Sequence, residues 1–573
     1  MRIQRSFLVL CSLGALFATT VAAAPLRPVH APHAIVVSVH ELASRAGVGI
    51  MQSGGNAVDA AVATGFALAV VHPQAGNLGG GGFLLLRQAG GEVHFIDFRE
   101  KAPAAATENM YLDAQGNVIK DLSLIGYKSI GVPGSVAGLV YAEKKYGKLS
   151  LEKVIATAIK LAREGFPLAW EDAEDLKDED LTKFADSRRT FQRDGNFYKP
   201  GETLRQPELA RTLERIAKNP DDFYHGVMAR ELAAAVQKGG GLVTAEDLAR
   251  YEVKEREAIR GTYRGYDIIS APPPSSGGVA LVEILNILEG YNLAQFGNRS
   301  AQTIHLTTEA FRRAFYDRAD FLGDPDFAKI PVPQLIDKKY AAAWRDFIDP
   351  NHASVSQDLK RPPFNELERV AHLRRRAIRE PESTTHYSVV DPEGNAVAVT
   401  TTLNDSFGSR VTADGLGFLL NDEMDDFAAK QGVPNAYGLI QGPANAIGPG
   451  KRPLSSMAPT IVLKDGKLFL VLGSPGGSTI ITTVANVLMG VIDFSLDIEE
   501  AVNAPRFHHQ WLPDEIHVED RLSPDTMNLL RSKGHQLKVE HFWGDGECIM
   551  VDPKTGERLG SSDGRNNGKA VGY

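Results

Sequence analysis

The chain has 573 residues, 43% of them apolar and 23% charged, and a formal net charge of -9. This is ordinary globular composition, long enough for one large core or several domains. Acidic and basic residues are interspersed along most of the chain, so it lacks the basic face a nucleic-acid partner needs, and the mild acidity reads as solubility.

The first element in chain order lies outside the fold. In MRIQRSFLVLCSLGALFATTVAAA, Arg2 and Arg5 make a positive start, Phe7 to Ala18 an apolar stretch, and Val21-Ala22-Ala23 a small-residue cleavage site. Residues 1–23 therefore read as a signal peptide, because an apolar run this short does not span a bilayer comfortably. The expectation is an exported protein, periplasmic or secreted, with no stable membrane anchor. Cys11 leaves with the signal, and the one remaining cysteine, Cys548, makes no internal disulfide. In GECIMVDPKTG it sits on a strand leading into a turn, where a buried structural thiol is expected.

From about Ala43 to Ile348 the pattern is mostly helical. ASRAGVGIMQ and NAVDAAVATGFALAVV carry apolar residues at helical spacing, broken at Ser53 to Gly55. FLLLRQAGGEVHFIDFRE predicts two strands joined at Gly90-Gly91. GSVAGLVYAEKKYG and SLEKVIATAIKLAREG predict a helical hairpin around Gly147-Lys148-Leu149, and SAQTIHLTTEAFRRAFYDRADFLG a long amphipathic helix. After Asn351 a polar stretch with Pro362, Pro363, Pro381 and arginines at 374, 375, 376 and 379 reads as a solvated, mobile segment to residue 383. Beyond Thr384 come hairpins: THYSVV and NAVAVTTTL around DPEG, then APTIVLKDGKLFLVLGS, then CIMVDPKTGERLG. Helices flanking packed hairpins imply an α/β layered domain, neither a bundle nor an all-β sandwich.

Few residues fit known chemistry. His508 and His509 in RFHHQW would point to opposite sides of a strand, a poor ligand pair. NDEMDDF lacks the glycine and spacing of a calcium loop, no HExxH occurs, and no metal is expected. LGGGGF has no GK[ST] sequel, and GxSxG is absent. SPGGST follows a strand and opens a helix-like run, so its backbone N–H groups suit packing or a developing oxyanion. ESTTHYSVV remains, Glu382 to Val390. Its Ser383-Thr384-Thr385 step reads either as a strand entrance or as a nucleophile. A threonine hydroxyl needs a base beside it, and a threonine freed as a chain N-terminus supplies one in its own α-amine, of pKa about 8.

TTHYSVVDPEGNAVAVTTTLND, GFLLNDEMDDF, RPLSSMAPT and GSPGGS resemble the gamma-glutamyltranspeptidase family of N-terminal nucleophile hydrolases. So do DAAVATGFALAVVHPQAGNLGGGGF, IDFREKAP and NAPRFHHQWLPDE, in the family's order over nearly all of the mature chain. The resemblance implies an α/β, four-layer αββα sandwich formed jointly by two subunits cut from one chain. These would be residues 24–383 and 384–573, with scission between Ser383 and Thr384. It implies that Thr384 is nucleophile and base, that Thr402 hydrogen-bonds it, and that Gly476 and Gly477 form the oxyanion hole. Arg99, Ser455 and Ser456 would hold the substrate's α-carboxylate, Glu423 and Asp426 its ammonium, and Asn404 a further polar contact. LGGGGF is assigned to packing near the site.

Some relatives have Gln where this chain has Glu423, for which tighter ammonium binding is expected. Ala429 to Gly442 matches a lid loop, with Tyr437 in the place of the lid aromatic, and Gly564 departs from a commoner DPR pattern. The implied substrates are glutathione and other γ-glutamyl compounds, with water, amino acids or dipeptides as acceptors and no cofactor. Two alternatives remain: a related exported N-terminal-threonine amidase, such as a poly-γ-glutamate depolymerase or cephalosporin acylase, and a catalytically silent binding protein. The lid with Tyr437 and the paired acidic residues argue against the first. The intact set Thr384, Thr402, Arg99, Asp426 and Gly477 argues against the second.

Overall fold

The structure, a computed structural model, describes residues 27–363 and 384–573. The signal-peptide residues, Cys11, the arginine cluster at 374–379 and Ser383 lie outside the described residues.

Two seven-stranded antiparallel sheets form the centre. The first has the order Val29–Ala31, Arg558–Ser562, Glu547–Val551, Lys467–Leu472, Thr460–Lys464, Tyr266–Ser270, Ile259–Tyr263. The second runs Lys569–Gly572, Ile35–Ser38, Thr385–Val390, Ala396–Thr402, Gly81–Arg87, Val93–Phe98, Lys254–Arg256. Alternation along the strands divides the apolar side chains into two cores. Val390, Ala396, Ala398, Phe83 and Leu85 pack toward Ile461, Leu470 and Leu472 of the first sheet. Tyr387, Val389, Val397, Val399 and Leu84 pack outward, with helices Glu41–Gln52 and Ala57–Val71. Helices Gly277–Leu288 and Ile498–Asn503 cover the first sheet's outer face, and helix Thr479–Ile492 lies against both. The layers are helix, sheet, sheet, helix, as the resemblance implied.

Local chemistry sets the hairpin at the centre of the second sheet. Asp391 Oδ1 accepts from the N–H groups of Glu393 and Asn395, closing the DPEG turn, and Asp391 Oδ2 accepts from Ala57 N–H at 3.0 Å. That last bond satisfies a donor at the start of helix Ala57–Val71, so turn and helix are fixed together. The strands then pair Thr385 with Thr401 and Val390 with Ala396.

Two expectations differ in detail. Helix Ala301–Phe321, read as amphipathic, is buried on nearly all sides, from Thr303 to Ala319. Its polar face is covered where these charges have partners: Arg313 with Glu309 at 2.6 Å, Arg312 with Asp514, and Asp317 with Tyr340 Oη at 2.7 Å. The described start of the segment read as solvated, 351–363, docks on this helix. Arg361 pairs there with Asp317 and with Asp320 at 2.6 Å, and Ser354 N–H donates to Glu309 at 3.0 Å. Cys548 is buried in strand Glu547–Val551, as expected, and burial pushes its thiol far up.

Candidate active site

The strand period puts Thr384, His386 and Ser388 on the face of their strand that looks toward the other sheet, opposite Thr402 and Thr400. Polar contacts follow that line. Thr384 and Thr402 share a hydrogen bond, Oγ1 to Oγ1, at 3.2 Å. His386 Nδ1 lies 2.9 Å from Thr400 Oγ1 and its Nε2 3.2 Å from Ser388 Oγ, which donates to the Glu547 carbonyl at 2.7 Å. Burial pushes His386 down to about 3, so the ring is neutral and serves as a structural link rather than a base. It abuts Gly473, where any Cβ would strike the ring, and so connects the Thr384 strand to the loop that carries Gly476 and Gly477. His386 stood inside the quoted motif without a role. Its signal was its register partner Thr400.

Thr384 is 7% exposed and opens onto a small pocket. Arg99, Thr402, Asn404, Glu423, Asp426, Tyr437, Ser455, Ser456 and Gly477 line it too. These residues come from separate stretches: the end of strand Val93–Phe98, the end of strand Ala396–Thr402, the turn Glu423–Asp426, and the approach to strand Thr460–Lys464. Gly476 adjoins the pocket through Gly477.

Arg99 is fully buried. Its Nη1 pairs with Glu423 and its Nη2 with Asp426, Glu100 lies 3.5 Å from Nη1, and Nε donates to the Pro453 carbonyl at 3.2 Å. Burial alone would lower its pKa, but Glu423, Asp426 and Glu100 outweigh it and hold the guanidinium above its ordinary value. Burial raises Glu423 well above the carboxylate range and Glu100 to about 7, against the pull of Arg99. Asn404, with φ of 85°, donates its N–H to Thr402 Oγ1 at 2.8 Å, fixing that hydroxyl, and its Nδ2 to the Asp422 carbonyl at 3.2 Å. Asp422, missed in the sequence, braces Asn404.

Tyr437 is buried, and its hydroxyl donates to the Asn404 carbonyl at 2.6 Å, so the segment around it covers the pocket. Gly477 has φ of 54°, and a Cβ there would enter the Tyr437 ring. Side chains are therefore excluded twice, by conformation and by space. Loop 473–478 leads into the N-terminus of helix Thr479–Ile492, where backbone N–H groups favour negative charge. The LGGGGF stretch does pack: a Cβ on Gly80 would meet the carbonyl oxygen of Thr402.

His508 and His509 diverge, the first toward Thr482 Oγ1 and the second toward Asp514. Among the described residues one group, His305, Glu309 and His535, brings ligand-type atoms together. It is not part of the Thr384 pocket, and Glu309 there is already paired with Arg312 and Arg313. The tail residue Gly564 donates its N–H to Asn503 at 3.1 Å.

A family model for gamma-glutamyltranspeptidase matches residues 43–573. A glutathione hydrolase proenzyme of Escherichia coli is 52% identical over 543 residues, 94% of this chain and 91% of that protein. Among solved structures, cephalosporin acylase from Bacillus halodurans superposes with TM-score 0.82 at 27% identity, covering 97% of this chain and 98% of its own. Helicobacter pylori gamma-glutamyltranspeptidase is 45% identical over 61% of this chain and all of that one, with TM-score 0.58.

Proposed function

The chain belongs to the gamma-glutamyltranspeptidase family, and from that membership we propose how its own residues carry out the activity. The protein is a gamma-glutamyltransferase and glutathione hydrolase of the N-terminal nucleophile type. One observation carries the assignment of roles. A threonine hydroxyl at the head of a central strand lies 3.2 Å from a second threonine hydroxyl, in a pocket that holds a buried arginine and two carboxylates.

The precursor is cut between Ser383 and Thr384. Thr384 Oγ1 attacks the Ser383 carbonyl carbon, the C–N bond breaks as the Thr384 nitrogen takes a proton, and water hydrolyses the resulting ester. The large piece, 24–383, and the small piece, 384–573, stay together as a heterodimer. The signal peptide, residues 1–23, takes the protein to the periplasm or medium. No helix among the described residues is long and apolar enough to cross a membrane.

In the mature enzyme the freed α-amine of Thr384 takes the hydroxyl proton as Oγ1 attacks the γ-carbonyl carbon of the donor. Thr402 orients that hydroxyl, and the N–H groups of Gly476 and Gly477 stabilise the oxyanion. The C–N bond breaks, the amine of the leaving group (cysteinylglycine, from glutathione) receives the proton, and a γ-glutamyl ester remains on Thr384. Water, or the amine of an amino acid or dipeptide, then takes the acyl group. Glu423, Asp426 and Asn404 hold the donor's ammonium, and Arg99, Ser455 and Ser456 its carboxylate. Tyr437 closes over the bound group. The acylase likeness is one of fold at 27% identity, whereas the glutathione hydrolase relatives reach 52%.

The test is to quench the enzyme with a γ-glutamyl anilide during turnover and map the small fragment by mass spectrometry. One γ-glutamyl group on Thr384 is the expected result. A modification on another residue, or none under conditions that release anilide, contradicts the assignment.

A further inference from the structure

Along helix Ala301–Phe321, Arg312 pairs with Asp514 and Arg313 with Glu309. Arg318, 2% exposed, forms no ion pair among the described residues. Its Nε donates to Ser276 Oγ at 2.9 Å and its Nη2 to Ser456 Oγ at 3.2 Å, both neutral hydroxyls, while its Nη1 is buried with no hydrogen-bond partner among the described residues. Burial pushes the guanidinium down to about 10, and it remains charged at neutral pH. The carboxylate whose field reaches it, Asp426, is already engaged by Arg99. A buried charge held by neutral groups is unfavourable until an anion completes it.

Ser456 connects this cation to the pocket. Its oxygen accepts from Arg318 on one side while the residue lines the pocket on the other, so its hydroxyl proton is left to point inward. The opposite wall has the reverse balance: Arg99 faces Glu423, Asp426 and Glu100, three carboxylates around one guanidinium. That wall has acidic groups for an ammonium, and its one guanidinium is already shared among them, so a carboxylate held by Arg99 gains from a second cation.

Resting on the γ-glutamyl reading of this pocket, we propose that Arg318 is a positioning residue that selects donors carrying an α-carboxylate, acting through the Ser456 hydroxyl. A chain of hydrogen bonds, guanidinium to Ser456 to carboxylate, is polarised by the buried charge at its end. A donor with a neutral group at that position leaves both the charge and the hydroxyl uncompensated.

The experiment compares wild type with Arg318→Gln and Arg318→Lys on two donors, a γ-glutamyl anilide and the same anilide with its α-carboxylate replaced by a primary amide. Wild type prefers the carboxylate donor. In Arg318→Gln, kcat/KM for the carboxylate donor falls about ten- to a hundredfold, mainly through KM, and for the amide donor changes by less than about threefold. Arg318→Lys recovers part of the preference. Equal losses on both donors, with the wild-type preference intact, reject Arg318 as the selector. If wild type itself shows no preference, the γ-glutamyl reading of the pocket fails and the proposal falls with it. If Arg318→Gln does not mature into two fragments, Ser276→Ala carries the test, since it removes one hydroxyl that holds the guanidinium. A narrowed preference in that variant supports the proposal, and an unchanged preference overturns it.

Discussion

Thr384 and Thr402 meet across one rung beyond the paired residues Thr385 and Thr401, so their 3.2 Å contact is set by strand register and not by a flexible loop. Because Asn404 N–H also fixes Thr402 Oγ1, replacing Thr402 by valine removes a hydrogen-bonding atom while keeping the branched shape. Thr402→Val lowers kcat for a γ-glutamyl anilide by about a hundredfold, the scale of losing one preorganised group at the reacting centre. Thr402→Ser stays within a few-fold of wild type. Steady-state kinetics on matured enzyme decide it, and equal activity in the valine variant would show that the contact is incidental. From the residues alone the Ser383-Thr384-Thr385 step reads either as a strand entrance or as a nucleophile, and it is the family resemblance that singles out Thr384. Arg318 was not legible at this scale: nothing in AFRRAFYDRADF distinguishes the arginine that has no ion pair among the described residues from its neighbours. Only tertiary packing gives Arg312 and Arg313 their carboxylates and leaves Arg318 facing Ser456.

At the scale of elements, one buried carboxylate ties helix Ala57–Val71 to the helical hairpin at 147–149. Asp59 accepts from Asn56 N–H at 2.7 Å as a capping box, and from the N–H groups of Lys148 and Leu149 at 3.0 and 2.7 Å. Glu143, on helix Ser135–Tyr146, is buried beside it, and burial together with the Asp59 charge pushes Glu143 up to about 9 from 4.5. The folded state then holds a proton that the unfolded chain releases, so this contribution to stability is full below the unfolded value. It is lost as pH rises from 4.5 toward about 9. Glu143→Gln places an amide N–H beside Asp59 in place of the carboxyl proton. It is close to neutral at pH 5 and stabilising by about 1–3 kcal/mol near pH 9. Denaturant unfolding at three pH values measures this, and a difference independent of pH contradicts it. The helices and their turn were readable from periodicity and Gly147, whereas the Asp59–Glu143 contact joins residues far apart in sequence and left no local sign.

For the whole molecule, the sequence divides near residue 384 into a helix-rich part and a hairpin-rich part, yet neither part owns a sheet. Strands Thr385–Val390 and Ala396–Thr402 lie between Ile35–Ser38 and Gly81–Arg87, and Lys569–Gly572 closes the same sheet at its edge. Apolar alternation identified the strands and their inward faces. Their order across the sheets was not legible, because pairing between strands hundreds of residues apart depends on the completed core. Under the proposed scission before Thr384, this interleaving would keep the two pieces in one folded body, since each sheet contains strands of both. The central claim, a self-generated N-terminal threonine, is tested most directly by denaturing electrophoresis and N-terminal sequencing of wild type beside Thr384→Ala. The account predicts two fragments in the wild type, the smaller beginning Thr-Thr-His-Tyr, and one uncut chain in the variant. An intact chain in both, or a cut at the same bond in both, would contradict it.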